Sequence, residues 1–428
     1  MENQTAINSH LFDLFRNAPV GSNPFSFALL DLQNQEKPVS GVLIRYALTG
    51  FSGIYAMVCL CCVAILVIPF FQGEVGGAKH NWIVKKKYLP QHDKPYWIIN
   101  NGLMIGVSYL ISGLMFQGFV AQYLNTMDSP RQTFIFSWID VFKLPGSCAT
   151  YIQAFTMLFI SASNPSTRGG DKKYSMSPAV FNCLLIGFPA FITLAEIFLI
   201  SHKASLFHKH NISFEALIKL LHDAATQWDG GHKIPTDSQK VLLQTAFENV
   251  TRDAYLKSQS AIRIGMLWSL TDITPILIYI GGVSALVTTA YRPDRTARKV
   301  NTMDLDQTPP PEMFGSAPIK LDTESSNPLA RSLRYLWFHY LAMSSALCWD
   351  LAAGMTFYVN RENLNDVRLG PIFLVLNLGT SLSTLVGIII LLARIIGDGK
   401  ESKTDGNQSS EFLRSRTSSI TKLIGRKE

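Results

Sequence analysis

Charged side chains are scarce in this chain of 428 residues: 16% are Asp, Glu, Lys or Arg, against about 25% in soluble domains. Hydrophobic residues make up 47% and gather in long runs instead of recurring at core periodicity. That excludes an ordinary water-soluble domain and places the runs in lipid. The formal net charge of +7 comes from Lys and Arg between the runs. It reads as the cytoplasmic bias of membrane proteins, with no call for nucleic acid as a partner.

Other absences narrow the chemistry. The six cysteines, Cys59, Cys61, Cys62, Cys148, Cys183 and Cys348, all lie inside apolar runs, which excludes an extracellular disulfide framework and a zinc cluster. MENQTAINSHLFDLF lacks a basic start, an apolar core and a small-residue cleavage site, so targeting is expected to rest on the first span. There is no phosphate-binding glycine loop, no nucleophile elbow and no repeat between the two halves. His339 is the only histidine inside an apolar run, too few for a metal site. Residues 372–396 hold no lysine, which excludes a retinal Schiff base in the last run. No enzymatic activity, cofactor or metal is expected.

What is present is seven apolar stretches, at about 43–71, 97–123, 134–161, 178–201, 261–291, 333–359 and 372–396. About 20 helical residues cross the hydrocarbon of a bilayer, so the expected fold is an all-α, polytopic, seven-transmembrane helix bundle over 42–396. The third stretch is the least hydrophobic. Lys79, Lys85, Lys86, Lys87 and Lys94 lie between the first two stretches. Arg168, Lys172 and Lys173 follow the third, and Arg292, Arg295, Arg298 and Lys299 follow the fifth. These alternate segments and the basic tail read as cytoplasmic, putting the amino terminus outside and the carboxyl terminus inside.

Residues 1–41 then form an extracellular segment, in which SFALLDLQ is a short amphipathic piece suited to the interface. The outer loop 202–260 reads as two amphipathic helices leading into the fifth span. The proline- and serine-rich inner loop 292–331 and the tail 397–428, with its RSRTSS run, read as mobile or disordered. Sequons at Asn3, Asn211 and Asn249 fall on the outer side and are glycosylation candidates.

Charges inside the spans carry the functional reading, since each acid there costs roughly 2.5–3.5 kcal/mol on insertion scales. Asp140, Lys143, Asp272 and Asp350 all fall in the outer half, with Trp268 and Trp349 within about a turn of the acids. One reading is an outward-open polar pocket with aromatic walls for a ligand with cationic or hydrogen-bonding groups. The other is internal pairing, with Lys143 taking Asp140, Asp272 or Asp350; the two are compatible. Glu196 and Arg263 read as interfacial residues reaching into headgroups. Pro275, one turn after Asp272, is a candidate hinge.

Seven spans, an outer amino terminus, a structured second outer loop, a mobile third inner loop and a Ser/Thr-rich basic tail resemble G-protein-coupled receptors in topology, possibly a divergent fungal type. The motifs of the rhodopsin-like family do not follow. The third stretch ends SASNPSTR where Asp-Arg-Tyr would stand, and Asn377 is followed by Leu378 and Gly379 where Asn-Pro-x-x-Tyr would stand. The resemblance implies a plasma-membrane signalling protein with an unknown extracellular ligand and a heterotrimeric G protein at 292–331 and the tail. The alternatives are a cation or proton transporter or channel built on the intramembrane acids, and a non-catalytic membrane scaffold.

Overall fold

The structure is a computed structural model that describes residues 15–36, 42–72, 77, 80–88, 92–126, 140–163, 176–228, 237–291, 328–360 and 369–424. Eight helices occupy these residues: α1 (Pro24–Glu36), α2 (Val42–Phe71), α3 (Asn101–Thr126), α4 (Lys143–Ser163), α5 (Pro178–Thr226), α6 (Asp237–Tyr291), α7 (Pro328–Val359) and α8 (Leu369–Ile424). A small antiparallel hairpin, β1 (Val84–Lys87) with β2 (Tyr96–Ile99), pairs Val84 with Ile99 and Lys87 with Tyr96. It precedes α3 directly and escaped the sequence reading, because VKKK lacks the alternation that marks a strand.

Five helices are long and apolar enough to cross a membrane, over Ile44–Phe71, Asn101–Asn125, and within Pro178–Thr226, Ser238–Gly282 and Pro371–Gly399. Many of their large apolar side chains point outward: Leu60, Phe70, Leu114, Phe191, Phe198 and Leu277 are all exposed. Such a surface has no place in water and belongs against lipid. The chain is an integral membrane protein built almost wholly from helices.

Helices α2 to α8 pack in a closed ring, each against its neighbour in sequence and α8 back against α2, with α4 also touching α6. The third apolar stretch becomes α4, and its position explains its low hydrophobicity. Residues 149–157 of α4 are buried on every side, among them Thr150, Gln153 and Thr156. A helix wrapped by other helices has no lipid to satisfy and can carry polar groups that pair across the bundle. The first part of the predicted stretch, 134–139, lies outside the described residues.

Helices pass closely where a glycine removes the side chain between them. A Cβ on Gly106 of α3 would come within 3.1–3.3 Å of Ile65 and Leu66 on α2. A Cβ on Gly354 of α7 would meet the Ser269 hydroxyl on α6 and lie 2.9 Å from the Gly265 carbonyl. Backbone on one side leaves that second contact no room to relax.

The loop 202–260 forms two helices, as its periodicity predicts, but they are not separate from the bundle. With 49 residues in α5 and 55 in α6, the helices run about 74 and 82 Å at 1.5 Å per residue. Both therefore continue well past a hydrocarbon layer about 30 Å thick as one antiparallel hairpin. Pro189 and Pro275 are accommodated inside these continuous helices.

The amphipathic piece in 24–36 does not lie free at an interface. Asn23 caps α1, its side-chain oxygen accepting from the Phe25 and Ser26 amides at 3.0 and 3.2 Å. Its amide group also donates to the Ala225 carbonyl at the far end of α5, at 2.8 Å. Phe25 and Leu32 then pack into a small core with Leu217, Leu221, Leu243, Phe247 and Val250. The amino-terminal segment and the hairpin thus share one end of the bundle. At the opposite end, Gln72 donates to the Ile395 carbonyl at 2.9 Å and Tyr96 to the Met176 carbonyl at 2.6 Å.

Replacing Gly354 with Leu is expected to destabilise the bundle by about 1–3 kcal/mol through overpacking. Thermal unfolding of the detergent-purified variant checks this. An unchanged midpoint would show that α6 and α7 do not pass this closely.

Candidate functional site

On α4, Lys143, Ser147, Thr150 and Gln153 fall three or four residues apart, so one face of the central helix carries a polar stripe. Each polar group finds its environment in a different neighbour. Lys143 forms an ion pair with Asp350 of α7, Nζ to Oδ1 2.5 Å, and its ammonium lies 4.4 Å from the centre of the Trp268 ring on α6. A short charge-assisted bond and a cation–π contact therefore join α4, α6 and α7 at one point.

The pair stands on the wall of a cavity of about 80 Å³. That is room for several waters, far below the 300–1,000 Å³ of a drug-sized site. Tyr55 of α2, Tyr109 and Ser112 of α3, Thr150 of α4, Asp272 of α6 and Ser381 of α8 complete much of its lining. Six of the seven bundle helices meet there, α5 being the exception. Lys143 and Asp350 keep 18% and 19% exposure of their side chains, whereas Asp272 is 8% exposed. The Asp272 Oδ2 atom has no hydrogen-bond partner, and neither does the Ser112 hydroxyl, on a residue 3% exposed.

The predicted site residues divide on this geometry. Lys143, Asp272 and Asp350 come together on the cavity, with Trp268 beneath Lys143. Trp349 does not join them: it packs on Gly379 of α8 and is 38% exposed. Asp140 leaves the group too, because its partner is Lys203 at the base of the hairpin, at 2.5 Å, with the Asp140 side chain 4% exposed. Of the three acids the sequence offered to Lys143, Asp350 holds it, across the bundle.

Glu196 does not reach headgroups. It is 2% exposed, and neither carboxylate oxygen has a partner. It lies within electrostatic range of Asp272, Asp350 and Lys143. Arg263, by contrast, is exposed. Pro275 is buried within continuous α6. Asn211 and Asn249 are half-buried within the hairpin helices, and Asn3 lies outside the described residues.

Below the cavity a second polar group crosses the bundle. Tyr279 of α6 donates to Gln153 Oε1 at 3.0 Å, and Gln153 in turn contacts His339 Nε2 on α7. His339 Nδ1 lies 2.8 Å from the Gly387 carbonyl of α8. A carbonyl only accepts, so His339 carries its proton on Nδ1 and accepts from the Gln153 amide through Nε2. This fixes a directed chain over four helices. Sequence reasoning singled out His339 but missed its partners; the stripe on α4 was the available signal.

No model of a protein family, no curated protein and no solved structure matches the chain. Among the described residues there is no group of three or more His, Cys, Asp or Glu side chains able to hold a metal.

Two substitutions separate the charge pair at the hairpin base from its cavity counterpart. Lys203→Met strands the buried Asp140 carboxylate and is expected to cost about 3–5 kcal/mol; Asp140→Asn, which removes the charge itself, is expected to cost clearly less. Thermal midpoints of the two purified variants check the order. Gln153→Leu removes the middle of the chain, leaving Tyr279 only the Thr150 carbonyl at 3.1 Å and His339 Nε2 without its donor, and is expected to cost about 1–3 kcal/mol, again read from the midpoint.

Proposed function

We propose that the chain is a receptor-like signalling protein with seven spans in the plasma membrane, its amino terminus outside and its carboxyl terminus inside. It senses a small extracellular ligand with cationic or hydrogen-bonding groups in the cavity at the outer half of the bundle. The observation that carries this reading is the Lys143–Asp350 pair on the cavity wall. A ligand that engages Asp350 competes with Lys143, and releasing Lys143 loosens the one point where α4, α6 and α7 are joined by charge. Such a difference in contacts between two arrangements is what lets a ligand shift a conformational equilibrium.

Seven helices in a closed ring support seven spans, although α4 and α7 are less apolar than the other five. The orientation is supported by the exposed Lys85, Lys86 and Lys87 at the end of the bundle away from the long hairpin, where cytoplasmic lysines belong. Segment 292–331 and the tail then face a heterotrimeric G protein. Asn3, Asn211 and Asn249 stand on the glycosylated side, with Asn211 and Asn249 half-buried acceptors.

The second reading, a cation or proton transporter, is favoured by one specific observation: Asp272 and Glu196 carry buried carboxylate oxygens without hydrogen-bond partners. Burial of such groups in membrane proteins marks ion and proton pathways. A pH- or cation-dependent current through the reconstituted protein would select this reading.

Two measurements test the receptor reading. Single tags in 202–260 and in 400–428 of intact cells should react from opposite sides; labelling from the same side overturns seven spans. Cell membranes containing the protein should stimulate guanine-nucleotide exchange, and Asp350→Asn, which frees Lys143, should change the basal rate by several-fold. No nucleotide-sensitive response under any condition, in wild type or variant, overturns the receptor reading.

A further inference from the structure

The lining of the cavity is unbalanced in charge. Asp272 and Asp350 face it with only Lys143 to offset them, which leaves one negative charge among the lining groups with both acids ionised. Asp350 is satisfied by Lys143, so the uncompensated charge belongs to Asp272. Its Oδ2 atom is buried without a hydrogen-bond partner and stands on a cavity large enough for a small guest. A buried carboxylate in that state is costly unless something neutralises it.

The rest of the lining has the polarity of a cation site. The Thr150 hydroxyl donates to the Gly146 carbonyl at 2.9 Å, Ser381 to the Asn377 carbonyl at 2.8 Å, and Thr380 to the Leu376 carbonyl at 3.2 Å. Each hydroxyl has one proton and two lone pairs. Spending the proton on its own helix leaves each oxygen its lone pairs; one at Thr150 takes the Tyr109 hydroxyl, at 3.4 Å, and one at Ser381 meets the Tyr55 hydroxyl, and the others are open to the cavity. Ser112 adds a buried hydroxyl without a partner. Oxygen lone pairs around one excess negative charge suit a hard cation of single charge, and the small volume accommodates that ion with a few waters.

We infer that the cavity binds one alkali-metal cation, sodium or potassium, at Asp272, with the Ser112 hydroxyl among its ligands. The cation supplies the charge that Lys143 cannot give to both acids. It also ties α3 to α6 across the cavity, beside the pair that ties α4 to α7. The inference rests on the cavity being a ligand site, not on the signalling step.

The test uses the full chain in lipid nanodiscs. Thermal midpoints are recorded in sodium, potassium and choline chloride at constant ionic strength, with radioactive sodium binding measured in parallel. The expected result is a midpoint that rises and saturates with one alkali cation but not with choline, and binding of about one ion per chain. Asp272→Asn should abolish both, and Arg263→Gln, at an exposed residue outside the cavity lining, should keep both. Ser112→Ala should weaken binding by about tenfold, the scale of one lost polar contact, which keeps the test open if Asp272→Asn fails to fold.

A midpoint indifferent to sodium and potassium overturns the inference. If it still shifts with pH, or with methylammonium alone, the guest is a proton or an amine. Alkali-cation binding without any guanine-nucleotide response leaves this inference standing and removes the receptor reading. A nucleotide response without cation binding does the reverse.

Discussion

A charge buried among membrane helices must be met by another charge or by polar groups, and most of the bundle's architecture follows from how Lys143 meets that demand. An ammonium at the start of α4 has three candidate carboxylates in reach of the same cavity or the same helix turn. Asp350 takes it, in a 2.5 Å contact, over the face of Trp268. That choice sends Asp140 outward to Lys203 on the hairpin and leaves Asp272 buried on the cavity without a counter-ion. One pairing therefore fixes the hairpin base, the cavity wall and the site's excess charge together.

The same demand accounts for the composition of the helices. Lipid-facing helices such as α2 carry outward Leu60, Val63 and Phe70, because hydrocarbon offers no polar partner. Helix α4, enclosed by its neighbours, carries Lys143, Thr150, Gln153 and Thr156 instead. Its polar stripe feeds both the ion pair at one level and the Tyr279–Gln153–His339–Gly387 chain below it. The tight approach at Gly354 holds α7 against α6, two of the helices those bonds join. The two polar layers are thus linked through one helix.

Much of this was legible in the sequence. Apolar runs located every bundle helix, because hydrophobicity over 20 residues is a strong signal, but the polar tail from 397, expected to be disordered, continues α8 as helix to Ile424. Periodicity gave the two hairpin helices, and Asp272, Asp350 and Lys143 stood out because charge in a span is costly. Rotation about the helix axis was not legible, and it decides the rest. Trp349 sits one residue before Asp350 yet packs on Gly379 away from the cavity, and Glu196 turns inward instead of to the headgroups. The partner of Asp140 lies 63 residues away in sequence, a pairing no local pattern encodes. The docking of α1 on the hairpin depends likewise on Asn23 reaching Ala225, a contact invisible until the chain has folded.

The central claim is that the Lys143–Asp350 pair holds the bundle in this arrangement, and a charge exchange tests it most directly. Lys143→Asp and Asp350→Lys are each expected to lower the thermal midpoint of the purified protein sharply, since each strands like charges on the cavity. The double variant, which restores an opposite pair between α4 and α7, should recover a substantial part of the loss. A double variant no more stable than the worse single one would contradict the account.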